Sequence, residues 1–360
     1  MPTLEHSTVT EEDCLVFRFP QIEEDAVFSI DFQRTLRIPD SDKTYSLPPG
    51  LGSFPLRHVE DHPQKLPLPT TARGGVILPM WQSEAMWLNF SNNGPENWGL
   101  DFPVAIKVAA GKINAVTGES WRTGLHRDPQ DYLVAPEQPW LDGFAVEKGV
   151  IRQFVAMPLG DGYSVEEQLT GDAEWGGLQI SVFPLRAKVW KAKRCEWDEQ
   201  QKRRDAATPI DDGAEYMEFS HKKKALPMGL AAGGRMRQVI HPDPFNIEDW
   251  DIAAAERVFI TLLHAKDWKA ITGEAAPNEP PTAKEYSEAG LPWFEYYGKD
   301  QAALPGGARF GGVKSVANLF EKMTGATLPN SQDVETGNPV RLGPSPNAPR
   351  PVRSEGSWDY

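Results

Sequence analysis

The chain has 360 residues, of which 40% are hydrophobic, and this share excludes wholesale disorder. Its 31 glycines and 32 prolines favour many turns and short strands over a helical bundle. With 37 basic and 51 acidic residues the net charge is −14, which disfavours binding to the phosphate backbone of nucleic acids.

The first 25 residues are predicted to form a separate N-terminal segment. They begin with "MPTLEHSTVTEEDC", which is acidic and lacks the apolar stretch of a secretory signal. No run of eighteen apolar residues occurs anywhere, so no integral membrane contact is expected. Cys14 and Cys195 are too few for a disulfide scaffold, and reduced thiols predict a cytoplasmic protein.

A β-rich body is predicted over residues 26–197. From Phe28 to Ile38 apolar and polar residues alternate, which indicates a half-buried strand. Seven prolines in 39–72 predict an extended arm over the surface, because proline cannot donate to a central ladder. The stretch "FAVEKGVIRQFVAM" predicts a hairpin with Lys148 and Gly149 at its turn.

A short helix is predicted between the later strands of this body. Ser164 followed by Glu167 is a capping box, and Gly171 is a natural helix end. The following stretch, "GGLQISVFPLRAKVW", predicts one long strand.

The residues between 198 and 225 are rich in charge and poor in apolar side chains, which indicates a boundary. A smaller mixed region is predicted over 208–323, with strands at "RMRQVI" and "ERVFITLLHA" and helices at "PPTAKEYSEAG" and "GVKSVANLFEKMTG". Residues 324–360 predict an extended tail rich in proline and glycine. The predicted fold is therefore a β-rich α+β fold with a sandwich-like antiparallel body.

The stretch "RHVEDHP" at 57–63 places two histidines four residues apart, as in some zinc enzymes. Here Glu60 is not directly after His58, and the flanking prolines oppose the helix that would present both rings. "GDGYSV" and "PGGARFGGVKS" both depart from phosphate-loop spacing. The sequence predicts neither a metal site nor a cofactor.

Two polar stretches are the candidates for acid–base catalysis. "LHRDPQDY" contains His126 and Asp128, and "GDGYSVEEQ" contains Glu166 and Glu167. A histidine that meets a carboxylate pair in one pocket is able to transfer protons. The same residue types also occur in ordinary solvated loops and at helix N-termini, where acids are favoured.

The chain contains twelve tryptophans, and three of them lie beside proline or close to glycine: Trp98, Trp140 and Trp293. If they are exposed, their indoles provide stacking or partner-binding surfaces. If they are buried, they fill corners of a β-sheet core. The basic stretch 186–204 leaves a comparable choice between a solvated face and a patch for anionic membranes.

Three stretches together carry a resemblance to a known group of proteins: "DFQRTLRIPDSDKTYSLPPGLGSFPLRHVED", "PEQPWLDGFAVEKGVIRQFVAMPLGDGYSVEEQLTGDAEWGG" and "AGLPWFEYY". They resemble an uncharacterised family of hypothetical proteins from bacteria and filamentous fungi, some of them labelled "integral membrane protein". The resemblance covers about residues 28 to 298 and implies no reaction, ligand or catalytic residue. The membrane label conflicts with the lack of a spanning segment in this sequence.

Three functions are compatible with these features. The leading hypothesis is a soluble, non-enzymatic cytoplasmic protein that self-associates as a homo-oligomer or binds another protein. The alternative is an enzyme with an unrecognised acid–base site that uses His126 with Glu166 and Glu167. A second alternative is peripheral membrane association through 186–204.

Overall fold

The computed structural model describes residues 1–6, 12–24, 26–41, 43–91, 101–204, 227–296 and 302–342. Most of its regular structure is β, which confirms the predicted β-rich α+β fold. The strands are β1 (Thr3–His6), β2 (Asp13–Arg18), β3 (Val27–Thr35), β4 (Thr44–Tyr45), β5 (Gly50–Ser53), β6 (Arg57–His58), β7 (Val76–Met80), β8 (Ala85–Ser91), β9 (Val104–Ala110), β10 (Ile113–Asn114), β11 (Leu133–Ala135), β12 (Trp140–Leu141), β13 (Gly143–Glu147), β14 (Val150–Pro158), β15 (Leu178–Pro184), β16 (Pro227–Arg237), β17 (Glu256–His264), β18 (Phe294–Glu295) and β19 (Val340–Arg341).

Helices are shorter and fewer in the described part of the chain. They are α1 (Leu68–Arg73), α2 (Val165–Thr170), α3 (Ala187–Arg204), α4 (Ala265–Thr272), α5 (Ala283–Glu288) and α6 (Val316–Thr324). The predicted capping box is present at α2, where the hydroxyl of Ser164 accepts from the backbone N–H of Glu167, and Gly171 ends the helix at φ 84°. Thr282 and Glu285 form the same arrangement at α5.

The first seventeen strands form one sheet, and β18 and β19 form a second, two-stranded one. The large sheet is mostly antiparallel; β4 is parallel to β16, and β7 is parallel to β17. Its central ladder runs through β3, β8, β14, β16, β17, β15 and β9. The predicted hairpin is confirmed as β13 and β14, with Gly149 in the left-handed region at their turn.

Alternation along the strands separates a core face from an outer face. In β8, Met86, Leu88 and Phe90 are buried, whereas Trp87 and Asn89 are only half-buried. One large core cluster collects inward side chains from β2, β3, β8, β9, β14, β15, β16 and β17. Since each successive side chain of a strand points to the opposite face, Trp87 and Asn89 lie on the outer side.

The predicted N-terminal segment, body and smaller region all contribute strands to one sheet. Strands β16 and β17 come from the predicted smaller region but are hydrogen-bonded to β14 and β15 of the body. Likewise β2, in the predicted N-terminal segment, pairs with β3, and Phe17 and Phe19 are fully buried. The charged composition of 198–225 indicated a boundary. Local composition does not encode the pairing between distant strands, so it did not show that strands on both sides share a sheet. Most of that stretch, 205–226, lies outside the described residues.

The proline-rich stretch 39–72 is not an arm over the surface. It contains β4, β5 and β6, one 3-10 turn at Val59–Asp61 and the start of α1. Phe54, Leu56 and Val59 are fully buried. The prolines limit these strands to a few residues each, and the apolar side chains between them pack on the sheet.

Two further predictions, the long strand and the extended tail, differ from the structure in where their elements end. The predicted long strand stops at Pro184, and α3 takes over from Ala187. In the predicted tail, residues up to 342 are described: Leu328 is buried, and β19 pairs in parallel with β18. Residues 343–360 lie outside the described part of the chain.

Candidate functional site

His126 belongs to a buried polar network next to strand β9. Its Nδ1 lies 2.9 Å from Oδ2 of Asp131, and its backbone N–H donates to Oδ1 of the same carboxylate. Lys107 forms a 2.7 Å ion pair with Asp131 and donates to the carbonyls of Arg122 and Gly124. The carboxylate is thus saturated by protein donors, which suits a structural anchor for the 122–131 loop.

The other predicted catalytic residues serve different local structures. Glu166 is buried and accepts backbone N–H groups from Glu174, Trp175 and Gly176 at 3.2, 2.8 and 2.8 Å. Burial raises the pKa of Glu166, and these three backbone bonds oppose the shift. Glu167 accepts from the backbone of Gly160, Gly162 and Ser164 as part of the α2 cap.

These carboxylates do not meet His126. Glu166 packs beside Gly111, whereas His126 is tied through Asp131 to Lys107. Lys107 lies within β9 and Gly111 directly follows the end of that strand, so the two positions are roughly 13 Å apart along the chain. Asp128 is exposed, and none of the described residues donates a hydrogen bond to its carboxylate. The predicted acid–base group is therefore split between two structural sites.

Two other stretches considered in the sequence have ordinary local structures. "RHVEDHP" forms the short strand β6 and one turn of 3-10 helix, so the helix required by a zinc-protease motif is not formed there. Within the described ranges, no three His, Cys, Asp or Glu side chains converge as metal ligands. In the basic stretch, Arg194 pairs with Glu23 and Lys193 lies over the ring of Phe245.

The three candidate tryptophans differ in their surroundings. Trp98 lies outside the described residues. Trp293 is 1% exposed, and its indole N–H donates to Ser287 while its ring packs near Tyr45 and Tyr286. This burial removes Trp293 as a contact surface and confirms the core-filling alternative for this residue. Trp140 is only half-buried.

Trp140 is the centre of a half-buried aromatic group, and both Trp140 and Tyr296 also pack against the main core cluster. The ring of Trp140 meets Trp87 edge-on at 6.4 Å between centroids and Tyr296 at 4.7 Å. Strand pairing fixes the arrangement, because Trp140 of β12 is opposite Asn89 of β8, two residues from Trp87. Edge-to-face packing of this kind adds about 0.5–1.5 kcal/mol per pair beyond the area buried.

A carboxylate holds the Trp140 indole in place. Its Nε1 donates to Oδ2 of Asp142 at 2.7 Å. Burial raises the pKa of Asp142 to about 7, and the hydrogen bond from Trp140 opposes this shift. The orientation of the central ring therefore depends on a buried acid that titrates near neutral pH.

Next to Tyr296 lies a cleft of about 100 Å³. Its lining includes Tyr45, Leu47, Arg237, Phe294, Glu295 and Tyr296. Pockets that enclose drug-sized ligands have volumes of roughly 300–1,000 Å³. The cleft is therefore too small for such a ligand.

Exposed apolar side chains continue this area along β19. Val340 and Leu342 are 48% and 43% exposed, and the N–H of Leu342 donates to the carbonyl of Glu295. Glu295 also pairs with Arg237 at 3.4 Å and with Arg341 at 3.6 Å. We name Trp87, Trp140, Tyr296, Val340 and Leu342 the Trp140 surface. It has an apolar centre and a rim of both charge signs.

Part of the Trp140 surface was accessible to sequence reasoning. Alternation in "AMWLNF" places Trp87 opposite to the buried Met86 and Leu88, so its outward position is readable from the period of the strand. Tyr296 and β19 carry no such signal, because their position depends on a two-residue pairing with a segment more than forty residues away.

No protein-family model, curated protein or solved structure matches this chain. The resemblance to bacterial and fungal hypothetical proteins accordingly stays a prediction. None of the described helices combines the length and the apolar character needed to cross a bilayer.

Proposed function

We propose that this is a non-enzymatic, cytoplasmic protein that associates with a second copy of itself through the Trp140 surface. The observation that carries the proposal is the contact of three half-buried aromatic rings, Trp87, Trp140 and Tyr296. Tryptophan and tyrosine dominate the binding energy of protein interfaces, since they combine a large apolar area with a polar edge.

The charge pattern around these rings favours a second copy over an unrelated partner. Glu295 lies between Arg237 and Arg341 and pairs with both. In a two-fold interface the same patch faces itself, so a rim that carries both signs is able to complement its own copy. Exposed Val340 and Leu342 supply the apolar area that such an interface buries.

The catalytic alternative has less support. Its candidate groups, His126 with Asp131 and Glu166 with the 174–176 backbone, are engaged in separate networks with satisfied hydrogen bonds. A catalytic acid and base must reach one substrate together.

Sedimentation velocity of the purified protein over roughly 1 to 100 µM, the range in which weak interfaces dissociate, tests the proposal. The wild type is expected to sediment as a dimer at the highest protein concentrations of this range. The double variant Val340→Asp, Leu342→Asp is expected to remain monomeric, because it places two like charges on the apolar β19 part of the Trp140 surface. Both positions are exposed, so the fold tolerates the change.

Met323→Asp is the matched control, since Met323 is 56% exposed on α6 and lies outside the Trp140 surface. This variant is expected to dimerise as the wild type does. A wild type that stays monomeric at every concentration would contradict self-association, whereas equal loss of the dimer in Met323→Asp would contradict the assignment of the interface to the Trp140 surface.

A further inference from the structure

A second cleft lies on the outer face of the sheet, where β9, β15 and β17 run side by side. Gln179 of β15 is paired with β9 on one side and with Phe259 of β17 on the other. Arg73 at the end of α1, Lys112 in the β9–β10 turn and Trp175 just before β15 complete the lining. None of these residues belongs to the Trp140 surface.

Gln179 lies at the bottom of this cleft, and its buried amide is unusual in having no hydrogen-bond partner. Its side chain is 3% exposed, yet neither Oε1 nor Nε2 has a hydrogen-bond partner. A buried amide without partners costs free energy, and most buried polar groups in proteins avoid that cost by hydrogen bonding. The amide offers both a donor and an acceptor to whatever enters the cleft.

Positive charge converges above this amide. The ammonium of Lys112 lies 3.5 Å from the centre of the Trp175 ring, and the guanidinium of Arg73 lies 5.3 Å from it. Arg257, in the next row of β17, lies 5.3 Å from the ring of Phe259. Aromatic faces attract these cations but do not neutralise them.

No described carboxylate forms an ion pair with these three cations, although the chain as a whole has an excess of acids. Arg73 uses Nε and Nη1 on the carbonyls of Pro69 and Trp175, which leaves its Nη2 for another acceptor. Glu166, the buried acid behind the cleft, is occupied by the backbone of 174–176. Burial lowers the pKa of Arg73, and Glu166 and the exposed Glu174 both lie near enough to oppose that shift.

We propose that this cleft binds a phosphate group. Its oxygens accept from Lys112, from Nη2 of Arg73 and from Nε2 of Gln179, and such charge-assisted bonds are the strong ones. Oε1 of Gln179 still requires a hydrogen-bond donor, and the hydroxyl of hydrogen phosphate supplies it. A carboxylate offers no donor, so it leaves Oε1 unpaired.

The size of the cleft fixes how the ion enters. Its free space is about 10 Å³, close to one water-sized atom. One oxygen therefore reaches Gln179, and the rest of the ion lies at the mouth between Lys112 and Arg73. Glu166 holds the backbone of Trp175 and Gly176 in position before the ion arrives, so little ordering is required on binding.

Equilibrium dialysis of the full-length protein against radiolabelled inorganic phosphate at pH 8 tests the proposal, with sodium acetate and phenyl phosphate as competitors at matched ionic strength. Inorganic phosphate is expected to bind one site per chain, and acetate is expected to compete at least about tenfold less well, for lack of a donor. At this pH a phosphate monoester has lost its second proton, which leaves near pH 6. Weaker competition by phenyl phosphate is therefore expected and supports the hydroxyl as the donor to Oε1, whereas equal or tighter competition would overturn that assignment, since the monoester dianion has no such donor.

Lys112→Gln is expected to weaken binding by roughly tenfold, the loss of one charge-assisted bond. Lys148→Gln is the control, since Lys148 is also a lysine at a hairpin turn but lies away from the cleft. Equal binding by both variants, equal competition by acetate, or no binding at about 10 mM phosphate would overturn the proposal.

Gln179→Met provides an independent readout that does not depend on a charge change. Methionine has a similar shape and no buried polar group to satisfy, so this variant is expected to lose phosphate binding and to raise the melting temperature without phosphate. A lower melting temperature together with undiminished phosphate binding would mean that the amide has a structural role only.

Discussion

Trp140 and Asp142 lie two residues apart, and the indole N–H of the first donates to the buried carboxylate of the second at 2.7 Å. The orientation of Trp140, the central ring of the proposed interface, is therefore tied to an acid whose pKa burial raises to about 7. The hydrogen bond between Trp140 and Asp142 thus connects protonation of Asp142 to the surface through which we propose that the protein associates.

The raised pKa of Asp142 predicts a pH-dependent stability. An unfolded aspartate titrates near pH 3.9, so between about pH 4 and pH 7 the folded state holds a proton that the unfolded state has lost. The free energy of unfolding falls as pH rises through this window, and the full penalty is present above about pH 7. Asp31 and Glu84, whose pKa values burial raises to about 6, act in the same direction.

Asp142→Asn removes this ionisation while its side-chain carbonyl still accepts from Trp140. The variant is expected to gain more stability over the wild type at pH 8 than at pH 5, in urea denaturation at both values. A larger gain at pH 5, or a loss at pH 8 alone, would contradict the assigned cause.

The buried ion pair between Arg34 and Glu84 predicts a large cost for removing one partner. Their side chains are 7% and 0% exposed and are 2.6 Å apart, and Glu84 also accepts from the backbone of Trp81. Glu84→Gln leaves the guanidinium buried without its counter-charge, and about 3–5 kcal/mol of unfolding free energy is expected to be lost at pH 8.

Glu119→Gln is the comparison for this prediction, because Glu119 pairs with Arg309 at 3.2 Å on the exposed surface. A cost of about 0–1 kcal/mol is expected there. Chemical denaturation measures both variants, and equal costs in the two would show that burial does not set the strength of the Arg34–Glu84 pair.

The β13–β14 hairpin contains two glycines with different requirements. A Cβ at Gly143 would lie 1.9 Å from the backbone carbonyl oxygen of Arg152, whereas a Cβ at Gly149 meets nothing within 4 Å. Gly143→Ala is therefore expected to lower the free energy of unfolding by about 3 kcal/mol or more, since the backbone at Arg152 must shift. Gly149→Ala is expected to lower the free energy of unfolding by about 1 kcal/mol, because only the positive φ of 73° opposes a side chain there. Thermal denaturation that ranks the two in the opposite order would contradict the close approach of the strands.

The two thiols are predicted to differ in reactivity. Burial, with Asp31 and Glu5 nearby, raises the pKa of Cys14 to about 11, whereas Cys195 is exposed on α3. Iodoacetamide at pH 8 is expected to alkylate Cys195 roughly ten- to a hundredfold faster, because the thiolate is the reacting form. Intact mass spectrometry follows the reaction, and in Cys195→Ser only the slow modification should remain; a fast one there would place Cys14 at the surface.

Local features of this chain were predictable because their physical causes lie within a few residues. The α2 cap follows from Ser164, Glu167 and Gly171 alone, since each satisfies backbone groups of the same turn. The β13–β14 hairpin likewise follows from alternation and a glycine that tolerates positive φ. The prediction of a proline-rich arm over 39–72 failed because the burial of that stretch depends on long-range pairing, as between β4 and β16.

By itself, therefore, the sequence determined the β-rich class, the short capped helices and the β13–β14 hairpin, all through short-range periodicity and turn chemistry. Only the tertiary structure decided that Glu166 supports a loop, that Trp293 is buried, and that Trp140 meets Tyr296 across segments over 150 residues apart. It also decided that Gln179 has no partner beneath two cations. The physical reason is that contacts between distant segments depend on which strands pair, and pairing of distant strands is set by the burial of the whole core.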